Sequence, residues 1–535
     1  MNDDQKQPRR NLFAWLGAAG IILFLLVQVL PSTSEAFFGN SSEKVIPKSA
    51  AERTAADFAR RQFDQAPLKM ETVYQSDSLF YGYLEKTKLT KAYDKKYDVK
   101  FPTDTYQVNA DMPGGGTLFV YIHMEHGNIV GWNRVPDPQP AKAPGAGESR
   151  DAAVKFAVSQ GFKANALSVK REDANNGTVW LNVNGYSAGD AKLTLQIRTE
   201  RTADGRIRVA GYKPAFTVPQ SYSSYVDAQE RLAGKLSFIG SLLMSLVMFI
   251  LAIIYAVLYR RNTSFVRGLV MAVLFLGMYT ANNFNMKDAL LASFGEDPDA
   301  ALQAAVAVGF TCFLTAGMAL AAYFSLVAGD GLWRSMGRSL WPRAAAPGYA
   351  GHVWSSMKLG YLFAFMLLGL QTIIFIVLMN ATGAWSTTDV TQSPYNFAYP
   401  WLFPLLAWCA AISEEAVYRL FGIALLRKWF KNTFVAALIP TVIWALGHVT
   451  YPIFPSTTRL IELTIIGLIL SGLMLRYGFM TVLFAHAVMD SVMMAVSLIF
   501  LGGAGNIVMG AVYAVLPAVI AWVIARFARW RYRTA

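Results

Sequence analysis

Pro404-Leu405-Leu406-Ala407-Trp408-Cys409-Ala410-Ala411-Ile412-Ser413-Glu414-Glu415-Ala416-Val417-Tyr418-Arg419-Leu420-Phe421 is the stretch on which the reading of this chain turns. It is apolar enough for a membrane-crossing helix, yet Glu414, Glu415 and Arg419 stand inside it. An ionisable side chain at bilayer depth is costly and marks a functional site by default. The neighbouring segments decide whether the bilayer is the right frame. Runs of about 20 apolar residues suffice to cross the hydrocarbon core as helices. Working outward, the expected spans are residues 12–30, 236–258, 268–288, 302–326, 359–380, 399–426, 433–450, 460–475, 479–501 and 507–528. The third is the least regular, because Asn282, Asn283 and Asn285 interrupt its end. The expected fold class is a polytopic α-helical membrane protein of about ten transmembrane helices.

Composition agrees. Of 535 residues, 54% are hydrophobic and 16% charged, far from the soluble average. The two cysteines, Cys312 and Cys409, both lie in apolar runs, so any exported part folds without a disulfide framework. A net charge of +13 first suggests nucleic acid or acidic lipid. The basic residues, however, cluster at the ends of apolar segments, which is topology signalling, and no nucleic-acid partner is expected. With Lys6, Arg9 and Arg10 inside, the inner loops carry Arg260, Arg261 and Arg267, then Arg334, Arg338, Arg343 and Lys358. Arg427, Lys428 and Lys431 follow, then Arg476, then Arg526, Arg529, Arg531 and Arg533. The short outer loops offer only Lys287 and Arg459. Both termini are therefore expected in the cytoplasm, with residues 32–235 outside the plasma membrane. Ser34-Glu35-Ala36 is an alternative reading as a signal-peptidase site, but the run before it is longer than most signal h-regions.

The outer stretch carries an internal duplication. Ala55-Ala56-Asp57-Phe58-Ala59-Arg60-Arg61-Gln62 recurs as Ala153-Val154-Lys155-Phe156-Ala157-Val158-Ser159-Gln160. Alternating strands follow each, as in Leu118–Ile122 turning through Gly127 into Ile129, and Leu193–Ile197 turning through Gly205 into Ile207. The expected organisation is a first span (1–31), an extracytoplasmic α+β domain of two repeats (32–235, repeats 48–135 and 148–220) and spans two to four (236–358). A catalytic transmembrane domain (359–535) completes it. The Pro136–Gly147 stretch is the linker between repeats. The helix-then-strands order resembles the PepSY-like modules found outside bacterial membranes. His123, Glu125 and His126 do not make an expected metal site, since His126 points away into a turn.

Six ionisable residues gather in the last third of the chain: Glu414, Glu415 and Arg419, then His448, then His486 and Asp490. Counting 1.5 Å per residue from the inner basic ends, Glu414 lies roughly 20 Å deep and His448 roughly 24 Å. His486 and Asp490 lie roughly 15 and 21 Å deep. Residues in unrelated packing roles have no reason to agree in depth. Glu415 and Arg419 are i,i+4 neighbours with the acid first, the better order for an ion pair. Glu414 is rotated about 100° away and lacks that partner, which suits a general base. His486 and Asp490 share a face and can address one substrate oxygen.

At these residues the chain resembles the CPBP family of intramembrane endopeptidases, which includes the Ras-converting CAAX endopeptidases. The family pattern EExxxR, FxxxH and HxxxN reads here as Glu414-Glu415…Arg419, Trp444…His448 and His486…Asp490, over roughly residues 360–530. The resemblance implies that Glu414 and His448 activate a water and that the third motif stabilises an oxyanion, with Glu415 and Arg419 in support. It implies a glutamic-type endopeptidase without a cofactor, acting on a membrane protein or peptide. Trp444 stands for the usual Phe, and Asp490 stands where Asn is common; an ionised Asp cannot donate to an oxyanion. No Ser or Cys sits beside a base in the motif helices, so a covalent mechanism is not suggested. Zinc held by the histidines and carboxylates is a variant of this reading. A non-catalytic immunity or scaffold protein is the alternative that Asp490 favours. A proton-coupled transporter ranks last, because spans two to five hold no matching acidic motif. Oligomeric state is not legible from the chain.

Overall fold

The computed structural model describes residues 7–30, 45–136, 143–202 and 204–531. Lys6, Arg533, the Ser34-Glu35-Ala36 segment and half of the expected linker lie outside the described residues. Helix α1 (Gln7–Phe24) continues as a π-helical turn over Leu25–Val29.

A sheet-rich region follows. Helix α2 (Lys48–Phe63) buries Ala51, Ala55, Ala59 and Phe63, the stripe that its i,i+4 spacing dictates. β1 (Lys69–Ser76) leads through α3 (Ser78–Thr87) and α4 (Thr90–Tyr97) to β2 (Asp104–Asp111), β3 (Thr117–His123) and β4 (Ile129–Val135). Then α5 (Ala146–Ser159) precedes β5 (Leu167–Asp173), β6 (Thr178–Ala188), β7 (Ala191–Arg201) and β8 (Ile207–Thr217). The eight strands form one sheet in the order β1-β2-β3-β4-β8-β7-β6-β5. Its halves meet last strand to last strand, through Trp132↔Tyr212 and Asn133↔Gly211. Aromatic rings fill the core: Phe80 stacks on Phe216 at 5.2 Å, and Tyr93, Tyr97 and Phe101 close around the same ring. His123 is tied to Asp98 at 3.1 Å, and its Nδ1 accepts from the backbone of Glu125 and His126, so it braces its own turn.

The remaining chain is helical. Helix α6 runs from Gln220 to Leu258 through a π-helical segment at Leu236–Leu243. α7 (Phe265–Asn285), α8 (Ala300–Ser335) and α9 (Tyr349–Thr382) follow. α10 is compound: α-helical over Leu405–Glu414, π-helical over Glu415–Gly422 and α-helical again over Ile423–Phe430. Last come α11 (Thr433–Leu446), α12 (Thr457–Tyr477), α13 (Phe479–Leu501) and α14 (Ala504–Arg531). Among the described residues eight helices are long and apolar enough to cross a membrane: α1 with its π turn, α6 to α9 and α12 to α14. Trp15, Val266 and Phe313 are more than 70% exposed, a surface that only lipid covers cheaply. The chain is a multi-pass membrane protein. Close helix contact needs glycine where α1 crosses α9, since a Cβ on Gly20 would collide with the Phe365 carbonyl oxygen.

Three local expectations differ from what is observed. The segment expected to span over 399–426 starts its helix only at Leu405 and changes to π geometry at Glu415. The helix expected over 433–450 stops at Leu446, so its 14 residues rise only about 21 Å, and His448 sits in the following turn. Arg459 was expected in an outer loop; it lies in the first turn of α12, 13% exposed and 2.6 Å from Glu462.

The sheet-rich region is fastened to one end of the helices. Asn396 exchanges two hydrogen bonds with the Tyr74 backbone, at 2.7 and 2.9 Å. Glu296, between α7 and α8, takes Tyr121 and Asn133 as donors and lies 3.2 Å from Lys213. A two-residue strand β9 (Trp385–Ser386) pairs with β10 (Ile453–Phe454), joining the loop after α9 to the loop after α11. Lys86 of α3 lies over the rings of Tyr222, Tyr225 and Trp385, so α3, α6 and β9 meet at one cation.

Candidate active site

Helices α10, α11 and α13 bring the six ionisable residues together. The change to π geometry at Glu415 inserts an extra residue per turn and re-aims side chains, a feature frequent at functional sites. Consecutive carboxylates that a regular α-helix would splay by about 100° both reach His486. Glu415 Oε1 lies 2.7 Å from His486 Nδ1, and Glu414 Oε2 lies 3.8 Å from His486 Nε2.

Glu415 and Arg419 form the i,i+4 pair that the spacing dictates, Nη1 to Oε1 at 3.2 Å, and neither side chain is exposed at all. The guanidinium lies 4.1 Å from the Trp444 ring centroid. Gly467 of α12 makes room: a Cβ there would lie 2.9 Å from Trp444 Cζ3 and 3.0 Å from Arg419 Nη2. The Trp444 indole N–H in turn donates to Glu414 Oε2. Glu414 therefore has a neutral donor, while the Arg419 cation pairs with Glu415. The substitution of Trp for Phe matters too, because Phe has no N–H to give. The sequence signal was present, Trp444 lying one turn before His448, but its donor aims across to another helix.

His448 Nδ1 lies 3.0 Å from the Trp444 carbonyl oxygen. A carbonyl only accepts, so Nδ1 carries the proton and Nε2 is the basic nitrogen. Nε2 lies 3.8 Å from Glu414 Oε1, beyond a direct hydrogen bond, and both side chains are 20% exposed. The pair thus faces an accessible space. His486 is almost wholly buried; with Nδ1 committed to Glu415, its Nε2 lies 3.3 Å from Asp490 Oδ2. Asp490 is 15% exposed at the side chain. The expectation that His486 and Asp490 share a face holds geometrically, with the added fact that Glu415 fixes the far nitrogen. Arg459 and Tyr451 were given no place in the site by sequence reasoning; Tyr451 stacks on His448, with ring centroids 5.6 Å apart and planes 13° from parallel.

The chemistry available is that of a carboxylate and an imidazole nitrogen facing one space, backed by a second imidazole whose orientation two carboxylates fix. Among the described residues no group of three or more His, Cys, Asp or Glu side chains is arranged to hold a metal ion.

Residues 396–492 match the family model for type II CAAX prenyl endopeptidases, Rce1-like, and all six residues fall inside that segment. The sporulation-killing factor biosynthesis protein SkfC of Bacillus subtilis (strain 168) is 29% identical over 89 residues, which is 17% of this chain. The aligned part covers 18% of SkfC's own length, so the likeness is to one segment of that protein. No solved structure matches the chain.

Proposed function

We propose that the helical region carrying this CAAX-endopeptidase-like segment is a glutamate-dependent intramembrane endopeptidase that hydrolyses membrane-associated proteins or peptides. The observation that carries the reading is the convergence of His448 Nε2 and His486 Nε2 on the Glu414 carboxylate, each at 3.8 Å, inside a helical membrane domain. Glu414 takes a proton from a water that His448 Nε2 orients, and the oxygen attacks the peptide carbonyl carbon. The proton then passes to the leaving amine as the C–N bond breaks. His486 faces the developing oxyanion from Nε2 while Nδ1 stays on Glu415; donation from Nε2 requires the imidazolium form, for which Glu415 and Asp490 supply counter-charge. Asp490 acts here as the group that orients His486. Buried Glu415–Arg419 holds the second imidazole and the Trp444 ring in place. No step is routed through a metal; elemental analysis of the purified protein tests the zinc variant.

In this reading both termini are cytoplasmic and the sheet-rich region lies outside the cell membrane of a bacterium, which the bias of basic residues toward alternate loops supports. The alternative is a CPBP-like immunity or scaffold protein that keeps the fold without catalysis. N-terminal proteomics decides between them. Membranes of the producing cell carrying the wild-type chain should accumulate new protein N-termini that are missing when the chain carries Glu414→Gln. Identical N-termini in the two membranes would favour the non-catalytic reading.

A further inference from the structure

The helix that precedes His448 ends two residues short of it. The histidine proposed to orient the water therefore sits on a turn, where the backbone does not fix a ring by itself. One hydrogen bond, from Nδ1 to the Trp444 carbonyl, sets its tautomer. A single bond leaves the ring free to swing about that contact, and a shift of about 1 Å in a reacting group can cost on the order of a hundredfold in rate. Something else must hold the plane of the imidazole.

Tyr451 lies against it. The two rings are nearly parallel, 13° apart at 5.6 Å, while Trp444 meets the imidazole edge-on at 5.2 Å and 64°. Tyr451 is itself in a loop and 37% exposed, so it too needs support. That support is a buried polar chain outside the six motif residues. The Arg459 guanidinium lies 5.0 Å from the Tyr451 ring centroid. Its Nη1 is 2.6 Å from Glu462 Oε2, Glu462 is wholly buried, and Gln371 Nε2 of α9 donates to the other oxygen at 2.7 Å. Burying an ion pair costs several kcal/mol per ion before attraction repays it, and apolar residues of like volume often serve stability as well. A requirement for one fixed cation beside Tyr451 gives this pair a reason to exist.

Two further contacts fix the loop's path. The Thr387 N–H donates to the Pro452 carbonyl, and Gln229 Oε1 accepts from both the N–H and the hydroxyl of Ser456. Tyr451 also lines a cavity of about 410 Å³ shared with Tyr74 and Thr388, on the side of the sheet-rich region.

We infer that Tyr451 is a positioning residue for His448, held in register by Arg459, Glu462 and Gln371. The inference rests on the proteolytic reading for its purpose, but the geometry has its own readout. The chain has five histidines, so selective ¹⁵N-histidine labelling of the full chain in detergent resolves each ring, with a His448→Ala sample to assign the signal. The wild-type chain should give His448 one sharp set of ring signals in the Nδ1–H form. Tyr451→Phe, which keeps the stack and the cation contact, should leave them in place. Tyr451→Leu should broaden or split them while the His486 signals stay unchanged, and Arg459→Gln should do so to a lesser degree. In membranes of the producing cell, new N-termini should accumulate at least tenfold more slowly with Tyr451→Leu than with Tyr451→Phe. An unchanged His448 spectrum in Tyr451→Leu, or a Phe variant as impaired as Leu, overturns the inference. Glu414→Gln is scored separately by proteomics, so a positioned His448 in a chain that never cleaves would defeat the proteolytic reading alone.

Discussion

Arg419→Ala leaves Glu415 in a wholly buried site with one of its two partners gone. In the native chain Nη1 lies 3.2 Å from Oε1, with neither side chain exposed. At an effective dielectric of about 20, opposite unit charges at that distance attract by about 5 kcal/mol. His486 Nδ1 still donates to the same oxygen at 2.7 Å, which retains part of the compensation. Against that, the Trp444 face loses the cation 4.1 Å from its centroid, a contact of about 2 kcal/mol when desolvated. The expected loss of folding stability is about 3–5 kcal/mol, the usual cost of removing one partner from a buried pair. Reversible unfolding in mixed micelles of dodecyl maltoside and SDS, followed by tryptophan fluorescence, measures it. The double variant Glu415→Gln, Arg419→Met strands no charge and should recover at least half of the loss. A single variant that unfolds at the wild-type SDS fraction would refute the reasoning, and with activity lost it would place Arg419 among the groups acting on substrate. A double variant as unstable as the single one would show that volume, not charge, was at stake.

Glu414→Gln and His448→Ala should each abolish proteolysis while membrane insertion and yield stay at wild-type level, as judged by proteomics and by blotting of washed membranes. Trp444→Phe keeps the ring beneath Arg419 but removes the donor to Glu414; a hydrogen bond to a charged group is worth about 1.5–3 kcal/mol, so turnover should fall roughly tenfold to a hundredfold with little change in unfolding. Asp490→Asn keeps a hydrogen-bond partner for His486 but removes one of the two counter-charges to its imidazolium, so activity should fall without being lost; unchanged activity would show that the residue only orients the ring, and after complete loss elemental analysis would separate counter-charge from metal binding. Protease added to spheroplasts should remove the sheet-rich region and leave the later helices protected; protection of that region would invert the topology.

The ionisable cluster was legible because bilayer burial makes each such residue costly, so Glu414, His448, His486 and Asp490 stand out against apolar neighbours and their depths can be compared by counting. The i,i+4 spacing also carried the Glu415–Arg419 pair. What periodicity could not carry was the π geometry that begins at Glu415, since one extra residue per turn leaves no mark in composition. Glu415 reaching His486 follows from that geometry and was not foreseen. The end of α11 at Leu446 was missed because the residues beyond it remain partly apolar, while the turn is set by contacts of the following loop with β9. Trp444 was read only as standing for the Phe of the second motif and Tyr451 was given no role; their partners, Glu414 on another helix and His448 with Arg459 around a loop, depend on tertiary paths. In the sheet-rich region, strands on either side of Gly127 and Gly205 were visible as alternation and turn residues. The joining of β4 to β8 was not, because strand order is a matter of which edges meet.

That joining sets a timetable for biosynthesis. β4 ends at Val135 and its partner β8 ends at Thr217, so some 80 residues of chain must be made before the seam can close. During that interval the first half has β4 as an open edge, the kind of edge that recruits foreign strands. The next helix begins at Gln220 and runs without a break to Leu258. In the proposed topology the seam therefore closes at about the moment the translocation machinery must switch from exporting chain to releasing it sideways into lipid. A delay in that switch, or a shortened stretch between Thr217 and Leu236, would strand the open edge and divert the chain toward aggregation before any of the helices that carry the ionisable cluster had been synthesised.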